Sequence, residues 1–175
     1  MHRPLLFLAL TAVLLAPTLH AQEPQQTAAV PACPPTATLD QLITAIDAAV
    51  SGPANQDRTC FRALFLPDAR LIPIRIGADG TATPHILTAQ DWIDAVAKRG
   101  STVLTEHQLK VKTETWAHIA HLWSTYETRI GTDPKAADRG INSIQAIFDG
   151  KRWQVIEITW QAEKPEDPVP AKYLP

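Results

Sequence analysis

The sequence predicts an α+β domain in which about three helices pack on one side of a mostly antiparallel sheet. Apolar residues recur at helical spacing over residues 39–50, whereas long segments after residue 103 alternate between apolar and polar residues. Asp149-Gly150 separates two of these alternating segments and is typical of a tight β-hairpin turn. Helices in the first half and strands in the second half therefore define the fold class.

Start and stop signals place the helices. The first helix is predicted between Thr38, which forms a capping box with Gln41, and Gly52. The second is predicted over residues 56–66, and a third begins at Thr88. The first two helices are expected to pack together as a hairpin.

The strands follow from alternation and turn residues. They are predicted at residues 70–76, in a short run ending near Leu87, and at residues 103–112, 116–130, 141–148 and 151–161. Pro73 cannot donate a ladder hydrogen bond, so the strand that contains it is expected at an edge of the sheet.

The chain of 175 residues has room for one ordinary domain, expected over residues 38–164. Residues 1–21 have the pattern of a signal peptide that is cleaved after Ala21, which predicts a periplasmic or secreted protein. The proline-rich segments 22–37 and 165–175 are expected to be extended and mobile. A net charge of −2 without a basic stripe argues against nucleic acid, and the apolar run of residues 5–15 is too short to span a membrane.

Cys33 and Cys60 are the two cysteines of the sequence. An exported protein meets oxidising conditions, so a disulfide between them is the leading interpretation. The alternative is that Cys60 packs as a small core residue while Cys33 stays free. Neither cysteine has a His or Cys at ligand spacing, and we expect no metal or other cofactor.

Three features resemble the nuclear transport factor 2-like superfamily, which includes SnoaL-like proteins and ketosteroid isomerase. They are the helical pair that leads into Phe65-Leu66-Pro67-Asp68-Ala69, the helix that begins at Thr88, and the hairpin strands that end in Trp160-Gln161-Ala162-Glu163. The resemblance covers about residues 38–163 and suggests an exported bacterial-type member. It implies a curved, cone-shaped sheet that wraps around the helices and encloses a pocket. Dimerisation through the sheet is common in the superfamily.

Regular pairing across Asp149-Gly150 would put residues of opposite parity on one face. One predicted face contains Ile141, Ser143, Gln145, Ile147, Gln154, Ile156, Ile158 and Trp160. Alignment with the family predicts that the cone pocket is lined by Trp123, Thr125, Glu127, Ser143, Gln145, Ile156, Ile158 and Trp160, with His121 beside them. Both faces are largely apolar, so the second face is expected to meet a second subunit or to be covered by the C-terminal tail.

The sequence lacks the acid-base groups of ketosteroid isomerase at the corresponding positions. Other titratable candidates are His121, Glu127, Arg129 and Asp47. His121 is the candidate for a general base, although a surface or structural histidine is the commoner meaning of such a residue. Glu127 and Arg129 are more simply interpreted as an exposed ion pair.

Two functions stay open at this point. The first is an exported protein that binds a small, partly hydrophobic ligand in the cone pocket or acts as an accessory domain, with a homodimer as its expected assembly. The second is a cofactor-free lyase, isomerase or hydrolase that uses His121 as general base. The missing acid-base set favours the first. The identity of a ligand or substrate does not follow from the sequence.

Overall fold

The computed structural model describes residues 32–175. The predicted signal peptide, its cleavage site at Ala21 and the first part of the proline-rich N-terminal segment lie outside the described residues. The helices are α1 (Leu39–Val50), α2 (Thr59–Ala63) and α3 (Ala89–Ala97), followed near the C-terminus by a 3-10 turn (Ala171–Tyr173). The strands are β1 (Gly52–Pro53), β2 (Phe65–Ile76), β3 (Ala82–Pro84), β4 (Val103–Trp116), β5 (Ile119–Ile130), β6 (Asp138–Phe148) and β7 (Trp153–Ala162).

The predicted starts of two helices are confirmed. The Thr38 hydroxyl accepts a hydrogen bond from the Gln41 backbone N–H at 3.2 Å, and Thr88 does the same for Asp91 at 3.1 Å. Both caps are complete capping boxes. Each box satisfies backbone donors that the first turn of a helix would otherwise leave unpaired.

The predicted helix over residues 56–66 is only partly correct. α2 has five residues and ends before Phe65, which already pairs with Val155 of β7. Pro67, which directly follows the predicted helix in the sequence, therefore lies inside β2. Burial of Phe65 against the sheet outweighs the weak helix preference of this short segment.

Seven strands form one sheet in the order β1-β4-β5-β6-β7-β2-β3. All pairs are antiparallel except β2 with β7. The edge position expected for Pro73 is wrong, since β2 lies between β7 and the short β3. The Pro73 carbonyl accepts a hydrogen bond from His85 at 3.0 Å, so its nitrogen faces the β3 side. The fold is the predicted α+β arrangement of three helices against a curved, mostly antiparallel sheet.

A hairpin that the sequence pattern did not reveal joins β4 to β5. The strand predicted from Trp116 begins at Ile119, because Ala117 and His118 form a tight turn. Ala117 has a φ of 48°, a left-handed conformation that is uncommon for alanine. No glycine, asparagine or proline marks this turn in the sequence.

The hydrophobic core lies between the helices and the face of the sheet that they cover, here called the inner face. Leu42 and Ile46 of α1 pack there against Leu122 of β5 and Ile144 of β6. The disulfide between Cys33 and Cys60 is confirmed, with their Cα atoms 5.2 Å apart. The disulfide joins the segment that precedes α1 to helix α2, at the margin of this core.

The opposite, outer face of the sheet is partly covered by the C-terminal tail. The Thr125 hydroxyl donates to the Tyr173 carbonyl at 2.6 Å, and Lys110 Nζ donates to the Leu174 carbonyl at 2.7 Å. Val169 is buried. The expectation of a freely extended tail is thus wrong, and the tail is one of the two covers predicted for the second apolar face. No helix in residues 32–175 is long and apolar enough to cross a bilayer.

Candidate functional site

Two β-bulges decide which side chains reach the inner face. The first bulge is in β7. Gln145 and Ala146 of β6 are neighbours, but they pair with Glu157 and Val155 of β7, so Ile156 between them is an extra residue. A bulge of this kind reverses the parity of every residue beyond it. A second bulge in β4 makes Leu109 the extra residue opposite β5.

The predicted common face of β6 and β7 is correct next to the turn, where Ile147 pairs with Gln154, and is wrong beyond the bulge at Ile156. Ser143 pairs with Thr159, and Asn142 pairs with Trp160. Asn142, Ile144 and Trp160 face inward in this register, whereas Ser143 and Gln145 lie on the outer face with Thr159 and Glu157.

Two of the predicted pocket residues, Ile158 and Trp160, line a cavity inside the cone. The others lie on the outer side of the sheet or at its margin. Thr125 is covered by the tail, Gln145 is exposed, and Ile156 is 38% exposed. Glu127 forms the ion pair expected with Arg129, at 2.7 Å.

His121 also lies on the outer face. Its Nε2 is 3.1 Å from the Ser143 hydroxyl, and its ring contacts the edge of Trp123. It is not among the residues that line the cavity inside the cone. A general base acting inside the cone therefore requires a different residue.

The cone cavity lies between the helices and the inner face and has a volume of about 80 Å³. Its wall is mostly apolar, with aromatic rings from Phe61, Trp92 and Trp160. Glu106 and Asn142 bring polar groups to the same wall. The phenol ring of Tyr126 completes it. A largely aromatic cavity with a few converging polar groups is the usual composition of a small-molecule site.

Trp92 is held at the cavity wall by two ring contacts. It stacks on Phe61 with a centroid distance of 4.1 Å, and the Arg58 guanidinium lies 5.7 Å from its ring centroid. Arg58 is buried and donates to the Val50 carbonyl at 2.9 Å and to the Pro53 carbonyl at 3.1 Å, so it also caps the end of α1. One buried arginine thus joins the end of α1 to the aromatic wall formed by α3.

Behind this wall, Gln108 connects α1 to the sheet. Its backbone N–H donates to Asp47 at 3.1 Å, and its side-chain amide donates to the other oxygen of the same carboxylate at 3.0 Å. The Gln108 side-chain oxygen accepts hydrogen bonds from Ser124 and, at 3.4 Å, from Asn142. Every polar atom of the Gln108 side chain is thereby engaged, which holds Asp47 in the last turn of α1 against β4.

Glu106 lies beside this network, and its carboxyl group is the second one in this region after that of Asp47. The Thr128 hydroxyl donates to one Glu106 oxygen at 3.0 Å, and the Gln108 amide approaches the other at 3.4 Å. The Glu106 backbone N–H donates to the Ser51 hydroxyl at 2.9 Å. The end of α1 and the β4 main chain therefore fix the position of this side chain.

Burial has a strong effect on the ionisation of these groups. It is the main reason why the pKa of Glu106 rises to about 7, and the nearby Asp47 charge raises the pKa further against the hydrogen bonds from Thr128 and Gln108. Burial likewise raises the pKa of Asp47, while the Gln108 hydrogen bonds lower it. The pKa of Tyr126 is raised by burial and then by the Glu106 charge. Near neutral pH, Glu106 can therefore either hold or release a proton.

The sequence interpretation named Asp47 as a candidate but missed Glu106, Gln108 and Tyr126. One signal was present in the sequence: Leu104, Glu106 and Gln108 have the same parity, which puts both polar side chains on the face of a buried leucine. The bulge at Leu109 disguises this pattern, because parity reverses before Val111.

A second cavity of about 490 Å³ lies on the outer face, between the sheet and the C-terminal tail. We call it the outer groove. Trp123 and Ser143, which were predicted to line the cone pocket, line the outer groove instead. Trp160 borders both cavities.

The sequence matches neither a family model nor a curated protein. Solved structures do match. A protein of unknown function from Mycobacterium tuberculosis is 14% identical over 76% of this chain and 75% of its own, with a TM-score of 0.57. A protein from Novosphingobium aromaticivorans, described as the beta subunit of an aromatic-ring-hydroxylating dioxygenase, is 11% identical over 72% and 87% of the two chains, with a TM-score of 0.56.

A third matching structure is described by its fold. It is a nuclear transport factor 2-like protein of unknown function from Pseudomonas putida, 16% identical over 78% of this chain and 94% of its own, with a TM-score of 0.52. Similarity at this level of identity concerns the backbone and says nothing about shared chemistry. The chain has the nuclear transport factor 2-like fold.

Proposed function

We propose that the protein binds a small, largely apolar molecule in the cone cavity and holds one oxygen of that molecule through Glu106. The observation that carries this proposal is a largely buried carboxyl group at the wall of an otherwise aromatic cavity. A buried carboxyl that holds its proton can donate a hydrogen bond to a carbonyl or hydroxyl oxygen. Phe61 and Trp92 would contact the apolar body of the molecule.

The size of the cavity limits the ligand. Its volume of about 80 Å³ is smaller than that of the engineered cavities, roughly 150 Å³, that accept benzene. The ligand is therefore a molecule of a few carbon atoms, or it displaces the Trp92 ring on entry. α3 supplies that ring and packs against α2 and β2 without being part of the sheet, so it is the element that would move.

Proton transfer is the second candidate function, and the pKa of Glu106 favours it. A general acid or base works best when its pKa is close to the working pH, and a value of about 7 meets that condition. Glu106 replaces His121 in this role, because His121 lies on the outer face. A carbon-13 NMR titration that placed the Glu106 pKa below 5 would overturn this candidate.

Export and dimerisation also stay proposals. The Cys33–Cys60 disulfide supports export, since such bonds persist in oxidising compartments. A homodimer through the sheet would have to use the part of the outer face that the tail leaves uncovered, where Ile156 is exposed.

The binding proposal can be tested with cyclopentanone and cyclopentane, which are similar in size, although only cyclopentanone has a carbonyl oxygen. Both are nearly as large as benzene, so each should enter the cavity only as the Trp92 ring moves aside. We expect cyclopentanone to shift the backbone amide NMR signals of Glu106, Tyr126 and Asn142 in a saturable way. Cyclopentane should bind at least tenfold more weakly, because it leaves the Glu106 carboxyl without an acceptor.

Glu106→Met keeps a similar side-chain volume and removes the hydrogen bond, so we expect a tenfold loss of cyclopentanone affinity. Glu114→Met is the matched control, since Glu114 lies on the same strand with an exposed side chain. Equal affinities of the Glu106→Met variant and the unaltered protein, with both folded, would refute the proposal. So would the absence of any saturable shift at the cone residues.

A further inference from the structure

The outer groove is a roofed cleft on the face of the sheet opposite the cone cavity. Trp123, Ser143 and Thr159 form its floor on three neighbouring strands, and Ile74 of β2 forms one side. Its roof is the tail from Pro168 to Tyr173. The volume of about 490 Å³ lies within the range of roughly 300 to 1,000 Å³ that is typical of pockets for small organic molecules.

The roof is attached to the sheet at both ends. At its start, the Val169 backbone N–H donates to Glu163 at 2.9 Å, and the Val169 side chain is buried. At its end, Thr125 donates a hydrogen bond to the Tyr173 carbonyl, and Lys110 donates one to the Leu174 carbonyl. The Tyr173 ring packs against Trp123 with a centroid distance of 5.9 Å. These contacts keep the tail over the groove as a preformed wall.

The charges around the groove restrict what it can hold. Among the described residues that line it there is no lysine, arginine or histidine, whereas Glu163 and Asp167 both lie at its margin. Glu163 already accepts hydrogen bonds from Arg139, at 2.7 Å, and from Val169. Asp167 accepts one from Gln161 at 3.2 Å. Arg139 compensates the charge of Glu163, which leaves Asp167 as the uncompensated carboxylate at the margin. An anionic ligand would meet this carboxylate and no cation in the lining, so the groove disfavours it.

One polar atom of the floor lacks a partner. The Trp123 indole N–H is buried and has no hydrogen-bond acceptor within residues 32–175. A buried donor without an acceptor costs roughly 1–3 kcal/mol. A ligand oxygen would remove this cost once the Trp123 ring turns its N–H edge toward the groove.

We propose that the outer groove is a second ligand site, which takes a neutral molecule with a flat apolar body and an acceptor oxygen. The aromatic rings of Trp123 and Tyr173 provide flat surfaces for that body. A second copy of the chain does not fit the same place, because the roof keeps a broad protein surface away from the floor. This site is independent of the one proposed in the cone.

Nile red is a suitable probe, since it is neutral, flat and apolar and carries a carbonyl oxygen. We expect saturable binding with enhanced fluorescence, and at least tenfold weaker binding of the anionic dye anilinonaphthalene sulfonate. Saturating cyclopentanone, the probe for the cone, should leave Nile red bound. Displacement of Nile red by cyclopentanone would mean a shared cavity and would overturn the proposal.

Ser143→Trp fills the floor of the groove and should raise the Nile red dissociation constant at least tenfold. Gln145→Trp introduces the same ring two residues along the same strand, outside the groove, and should change it less than twofold. Thr159→Trp is the second groove-filling variant if Ser143→Trp fails to fold. Equal effects of the groove-filling and control variants, or unchanged binding by both groove-filling variants, would refute the site. Size-exclusion chromatography of each variant separates lost binding from a changed oligomeric state.

Discussion

Glu106 concentrates the unusual chemistry of this molecule in one side chain. Its carboxyl group is removed from water by the end of α1 and by β5, yet Thr128 and Gln108 supply hydrogen bonds to it. Burial outweighs those bonds and raises the pKa to about 7. Since a glutamate in an unfolded chain has a pKa near 4.5, folding favours the protonated form between these two values.

The sign of the pH dependence follows from this shift. Stabilisation from the neutral Glu106 carboxyl is complete below pH 4.5 and is lost as the pH rises through about 7. The loss amounts to ~3 kcal/mol for a shift of this size. Glu106→Gln should therefore remove most of the decline in the free energy of unfolding between pH 4 and pH 8, as measured by urea denaturation. Asp47, whose pKa is also raised by burial, acts in the same direction.

Glu114→Gln is the control for this experiment, because its side chain on the same strand is exposed. It should leave the pH profile of the free energy of unfolding unchanged. If the free energy of unfolding of the Glu106→Gln variant declines with pH as steeply as that of the unaltered protein, other groups cause the pH dependence.

At the level of elements, regular patterns were predictable and irregular ones were not. The two capping boxes and the β-strands of the second half appear in the structure as expected. The hairpin at Asp149-Gly150 also forms, but its loop runs over residues 149–152, because Phe148 pairs with Trp153. The five-residue α2, the turn at Ala117 and the bulges at Leu109 and Ile156 do not have a recognisable local signal. Each bulge reverses parity, so a correct strand prediction still put pocket residues on the wrong face.

The cap of α3 provides a test at this scale. Thr88 accepts from the Asp91 backbone and also donates to its carboxylate at 2.7 Å. Thr88→Ala should lower the free energy of unfolding by about 1 kcal/mol, as measured by urea denaturation. Thr88→Ser retains the hydroxyl group and should lower the free energy of unfolding by only a few tenths of a kcal/mol. An equal loss in the two variants would mean that the threonine methyl group, and not the cap, matters.

For the whole molecule, the disulfide and the tail each connect parts of the chain that are far apart in sequence. Cys33 and Cys60 are 27 residues apart, and the bond closes that loop in the unfolded chain as well as in the folded one. The tail spans the outer face and reaches β4 and β5 through its last residues. Both connections limit how far the ends of the domain can open.

Removal of the disulfide should destabilise the domain. In the chain-entropy description, a loop of this length contributes ~3 kcal/mol by restricting the unfolded state. The Cys33→Ser/Cys60→Ser double variant should therefore unfold at a lower urea concentration than the oxidised protein. Chemical reduction of the unaltered protein should produce a similar loss. A double variant as stable as the oxidised protein would show that the bond contributes nothing to stability.

The sequence alone determined the fold class, the starts of α1 and α3, the strand-rich second half and the cysteine pair, because these depend on local periodicity, on helix caps and on the presence of two cysteines. Only the tertiary structure decided which residues line a cavity, because that depends on strand register. Two extra residues, Leu109 and Ile156, changed the register after correctly predicted strands had begun. In the observed register Glu106 faces the cone and His121 faces outward. Hydrogen bonds to the sheet hold the C-terminal tail as the wall of a groove.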